Sequence, residues 1–144
     1  MNKMREAQSM GPHQALTETI IGCAFTVHNQ LGFGFLESVY EKCLAIELRK
    51  AALQVDLQRP LVVHYSGEEV GHFVADMLIN EVVLVELKSV RALIEAHEVQ
   101  LVNYLTATGI ETGLLLNFGE ARVEVRRKLR TLPSRASCSS RPPS

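Results

Sequence analysis

Cysteine is scarce in this chain, and so are long apolar runs and any excess of one charge. The 144 residues include three cysteines, Cys23, Cys43 and Cys138. The number is odd and no pair has metal-ligand spacing, which argues against a disulfide or zinc framework. That usage fits a reduced, cytoplasmic protein, with Cys23 and Cys43 as small core residues on helices. No stretch approaches the roughly 18 to 20 apolar residues of a membrane-spanning helix, so no membrane partner is expected. The opening residues, MNKMREAQSMGPHQ, carry no apolar run of a secretory signal. No internal repeat is present. The formal net charge is −1, so bulk charge does not announce a polyanionic partner.

What is present suits one soluble domain with a sizeable core, at 47 % hydrophobic and 22 % charged residues. Charge is unevenly spread. From Arg122 onward there are seven basic residues and one acid, a balance of +6, while the other 121 residues balance at −7. A basic end on an acidic body could meet phosphates; a solvated strand edge and tail would look the same. Residues 1–13 read as a flexible start. The Ser, Pro and Arg content of 132–144 reads as a disordered tail. The domain is expected over 14–131.

Helical spacing comes first. Leu16, Ile20, Ala24, Val27 and Leu31 recur every three or four residues, and Gly32 follows as a C-terminal cap. Leu36, Val39, Tyr40, Cys43, Leu44 and Leu48 mark one face of a second helix ending near Ala51. The period then shortens. Strands are expected at about 58–65, 70–78 and 82–89, with turns at SGEE (66–69) and at Asn80 and Glu81. Pro60 puts the first near a strand start or a sheet edge. LIEAHEVQLVNYLTATG returns to helical period, TGLLLNFG is a buried strand and RVEVRRKL a half-exposed one. The order helix, helix, three strands, helix, two strands predicts an α/β sandwich with a mixed sheet.

Charges interrupt the third strand. In VVLVELKSV, Glu86 and Lys88 stand inside an apolar run. A three-residue loop between paired Ile79 and Val83 sets Asp76 opposite Glu86, with Lys88 on the same face. A two-residue loop would oppose Asp76 to Val85 instead. Two opposed carboxylates repel unless a cation joins them, and hard Mg²⁺ or Mn²⁺ prefers carboxylate oxygens. An ordinary ion pair of Lys88 with Glu86 or Asp76 is the plainer explanation of the spacing, worth only about 0–1 kcal/mol when exposed. Glu37 is a further candidate ligand, or an acid favoured by the helix dipole; Tyr40 reads as core. His97, Gln100 and Tyr104 share a helix face that could hang over the site. The other histidines show no ligand spacing.

GFLESVY (Gly34, Glu37, Tyr40), Asp76, ELK (Glu86, Lys88), HEVQLVNY and LLLNFG occur in this order. Together they resemble the GxxExxY protein family, within the PD-(D/E)XK nuclease superfamily, over about residues 14 to 130. The resemblance implies a restriction-endonuclease-like core: a mixed sheet with an antiparallel three-stranded meander flanked by helices. It implies Mg²⁺, with Mn²⁺ as substitute, held by Asp76 and Glu86, with Glu37 and the Leu87 carbonyl as further ligands. Lys88 would be the catalytic lysine, and Gln100 and Tyr104 would match a Q-x-x-x-Y helix. The implied activity is hydrolysis of DNA, or of RNA, with Arg126, Arg127, Lys128 and Arg130 adding phosphate affinity. The rival reading is a catalytically inactive nucleic-acid-binding or protein-interaction module on the same scaffold. Oligomeric state is left open, a homodimer included. Two departures stand out. No Pro precedes Asp76, and the second helix ends in KAAL where related sequences often have Gly.

Overall fold

The computed structural model describes residues 11–130. The expected tail of 132–144, Cys138 and most of the expected flexible start lie outside those residues. Two helices come first. α1 (Gln14–Leu31) buries Thr17, Ile20, Ala24 and Val27, the stripe its spacing predicts. It stops where Gly32, at φ 76, donates its N–H to the His28 carbonyl. α2 (Glu37–Lys50) buries Tyr40, Leu44, Ala45 and Leu48. Leu36 precedes it as an extended, 75 % exposed residue rather than a core contact. Past its end Ala52 takes φ 66, the left-handed position that a glycine would occupy without strain.

Five strands follow in one sheet of order β1-β2-β3-β4-β5. They are β1 (Val55–Tyr65), β2 (Glu68–Ile79), β3 (Val83–Lys88), β4 (Thr112–Phe118) and β5 (Val123–Leu129). The first two are longer than their apolar runs suggest, because the hairpin turn needs only Ser66 and Gly67, both at positive φ. Neighbours are antiparallel except β3 and β4, which are parallel and bridged by α3 (Glu95–Thr108). Pro60 lies on β1, an edge strand, where its missing N–H costs no inner ladder bond.

The core has two halves. On one face α1 and α2 cover Met77, Ile79, Val83, Val85, Leu87, Leu114 and Leu116. On the other, Leu101 and Leu105 of α3 cover Ala75, Leu84 and Leu115. α3 sits close because β4 has Gly113 beneath it; a Cβ there would meet Leu101 and Leu105 at 3.1 Å. Both faces of β3 are therefore covered. Among the described residues no helix is long and apolar enough to cross a membrane.

Candidate active site at the parting of the central hairpin

The register of β2 and β3 decides whether the charges meet. Ile79 pairs with Val83, Leu78 with Leu84 and Met77 with Val85. The loop is thus Asn80, Glu81 and Val82, with Asn80 and Glu81 both left-handed and the Val82 N–H bonded to the Ile79 carbonyl. This is the three-residue alternative, and it sets Asp76 across from Glu86.

Regular pairing stops there, and side chains take over the seam. The Asp76 N–H donates to Glu86 Oε2 at 3.3 Å, and the Leu87 N–H donates to Asp76 Oδ2 at 2.8 Å. The Asp76 carboxylate therefore lies between two strands, where a ladder carbonyl would otherwise sit. Burial, and next the charge of Asp76, push the Glu86 carboxyl up to about 8. A carboxyl so placed holds its proton at neutral pH unless a cation displaces it. Lys88 follows on the same face of β3, half-buried, and among the described residues makes no ion pair. The ordinary ion-pair explanation of E-x-K is not realised.

The chain beyond Lys88 is fastened. Asn117 of β4 pairs with Lys88 in register and is wholly buried. Its side chain accepts from the Val90 N–H and donates to the Val90 carbonyl and to Glu124. Glu124 also accepts the Leu93 N–H. Ser89 Oγ donates to the Phe35 carbonyl, joining the end of β3 to the loop before α2. That loop hangs on Tyr40, whose hydroxyl donates to the Gly32 carbonyl and accepts from the Phe35 N–H. The Tyr40 ring stacks on Phe118 at 4.4 Å. Tyr40 is core, as the helical pattern suggested, and it shapes the loop rather than joining the chemistry.

Tyr104 is half-buried on α3, stacked on Phe73 at 3.6 Å. Its hydroxyl is pushed up by burial and then by the Glu86 charge, so it borders the site. Gln100, one turn earlier, is exposed and shares with Tyr104 an open groove of about 650 Å³. His97 instead caps the helix, its Nδ1 accepting the Ile94 N–H. Glu37 is exposed at the first position of α2, and the structure does not gather it with Asp76 and Glu86. Among the described residues no three His, Cys, Asp or Glu side chains converge on one point. Glu41, one turn further along α2, lies where Asp76 acts on it. Its carboxyl is raised by burial and also by Asp76. The basic residues of β5 are engaged within the protein. Arg126 and Lys128 both pair with Glu98 of α3, at 3.0 and 2.7 Å. Arg127 on the opposite side reaches the Pro12 carbonyl and Thr17, and Arg130 the Gly109 carbonyl. They do not form one free patch.

A family model described as the PD-(D/E)XK nuclease superfamily matches residues 14–128. The chain belongs to that superfamily. Asp76, Glu86 and Lys88 lie within the matched span. PD-(D/E)XK nucleases usually use divalent metals. The mixed five-stranded sheet flanked by three helices is consistent with the superfamily's restriction-endonuclease-like α/β fold. Among solved structures the chain is similar to the crystal structure of SSO0001, at 18 % identity and a TM-score of 0.53. That match covers 66 % of this chain and 50 % of SSO0001, so the chain spans about half of that protein. At this identity the likeness bears on the fold alone. No curated protein matches the chain.

Proposed function

We propose that this domain is a Mg²⁺-dependent nuclease hydrolysing phosphodiester bonds in DNA, with RNA the alternative polymer and Mn²⁺ a working substitute. One observation carries the reading: two carboxylates share a half-buried seam, with a lysine two residues beyond the second that makes no ion pair among the described residues. The donor set fits a hard cation. Asp76, Glu86 and the Leu87 carbonyl would hold it, leaving other positions to water and substrate oxygens. When bound, such an ion lowers the pKa of a water and offsets charge on the scissile phosphate.

The chain's own residues do the rest. Lys88, fixed through Asn117 and Ser89, would orient the attacking water and donate to a phosphate oxygen. Water oxygen bonds to phosphorus as the ester oxygen leaves with a proton. Tyr104 and Gln100 would guide the polynucleotide along the α3 groove. The motif of Gly34, Glu37 and Tyr40, with the Tyr40 hydroxyl fastening the loop before α2, supports placing the chain in the GxxExxY group. The test is incubation with linear, circular and single-stranded DNA and with RNA, in Mg²⁺, Mn²⁺ or EDTA. Cutting that needs the ion supports the reading; binding without cutting, indifferent to EDTA, favours an inactive module.

A further inference from the structure

The pairing of β1 with β2 skips one rung. Leu57 pairs with Met77 and Arg59 with Ala75, but no pair joins Gln58 to Asp76. Gln58 has φ 52, a left-handed conformation in mid-strand with pairs on either side. One such residue turns the following side chains to the opposite face.

The packing carries that signature on both strands. Leu57 and Met77 belong to the core under α1 and α2. Leu61, Phe73 and Ala75 belong to the core under α3. All five positions are odd, so unbroken alternation would have kept Leu57 with Leu61, and Ala75 with Met77. The inversion brackets Asp76. Released from β1, Asp76 gives its N–H to Glu86 and receives the Leu87 N–H on its carboxylate. Gln58 Nε2 meanwhile donates to both oxygens of Glu41, at 3.0 and 3.2 Å. Glutamine is not a residue that favours left-handed backbone, so the conformation is imposed by its surroundings.

We propose that Gln58 is a positioning residue: its left-handed backbone removes the β1 rung opposite Asp76 and lets that carboxylate lie in the seam beside Leu87. Its purpose rests on the nuclease reading; its geometry does not.

Two readouts on purified full-length protein test it. One is hydrogen exchange of the Leu87 amide without metal, and the other is Mn²⁺ affinity by calorimetry. Glycine accepts the left-handed backbone, and β-branched valine resists it. Gln58→Gly should keep Leu87 protection and hold Mn²⁺ affinity within about threefold, whereas Gln58→Val should lose about tenfold or more in each. A folded Gln58→Val protein with unchanged Leu87 protection would overturn the proposal. So would a glycine variant as impaired as the valine one, since that would assign the effect to the side chain on Glu41. If Gln58→Val does not fold, Gln58→Ala replaces it: a loss there that glycine spares supports the proposal, and equal values overturn it. Should the wild-type protein bind no Mn²⁺ and cut nothing, the nuclease reading falls while Leu87 protection still decides the role of Gln58.

Discussion

The Leu87 amide donates to Asp76 Oδ2 at 2.8 Å, across a seam where β2 and β3 have stopped pairing. A side-chain oxygen has replaced a backbone one, and that exchange brings the acidic pair together. Met77 and Val85, one step earlier, still pair regularly and bury their side chains completely. The site thus begins where the ladder ends.

Stability of the metal-free protein should fall as pH rises. The Glu86 carboxyl stands at about 8 when folded against an ordinary 4.5, so the folded state holds an extra proton between those values. The stabilising contribution is complete below about pH 4.5 and is lost as pH climbs through about 8, on the order of 2–4 kcal/mol in all. Urea denaturation at pH 5, 7 and 9 should show the decline, and Glu86→Gln should remove most of it.

The same proton couples to metal. Between about pH 5 and 8, binding at Glu86 must expel it, so log K for Mn²⁺ should rise by roughly one per pH unit. Calorimetry in buffers of different ionisation enthalpy should count about one proton released. A flat affinity across that range would mean that Glu86 is not a ligand.

Asn117 should matter more to stability than an ordinary buried amide. Asn117→Ala strips partners from the Val90 N–H, the Val90 carbonyl and Glu124. A loss of about 2–3 kcal/mol is expected by denaturant melts. Any activity should fall with it, because the chain leaving Lys88 is no longer fastened.

Ala52→Gly should stabilise the fold by about 0.5–1 kcal/mol. Left-handed alanine costs roughly 1–2 kcal/mol, and the greater freedom of unfolded glycine returns part of that gain. Thermal melts of the two proteins read the difference directly. No change in metal affinity should accompany it, since Ala52 sits past the end of α2.

The features that spacing governs were legible. The stripe from Leu16 to Leu31 and the cap at Gly32 follow from period, while turn length left two registers for the central hairpin, of which the fold takes the one pairing Ile79 with Val83. Asp76, Glu86 and Lys88 stood out as charges in apolar strands, but spacing alone did not decide whether they share a face. The rest depends on partners far away in sequence. Nothing in RRK names Glu98 as the acid that takes up Arg126 and Lys128. Nothing in LLLNFG ties Asn117 to Val90, and no turn residue marks Gln58 as left-handed, because glutamine has no preference for it. Glu37 and Glu41 sit one turn apart, and only the fold shows that Glu41 is the one that meets Gln58 of β1.

The most direct test is the cleavage rate of DNA by the wild-type protein, Glu86→Ala and Lys88→Ala in Mg²⁺, each repeated in EDTA. Wild type should cut only with the ion, and each substitution should lower the rate by about a hundredfold or more while the protein stays folded. Cleavage that survives both substitutions, or that ignores EDTA, would contradict an active site built on Asp76, Glu86 and Lys88.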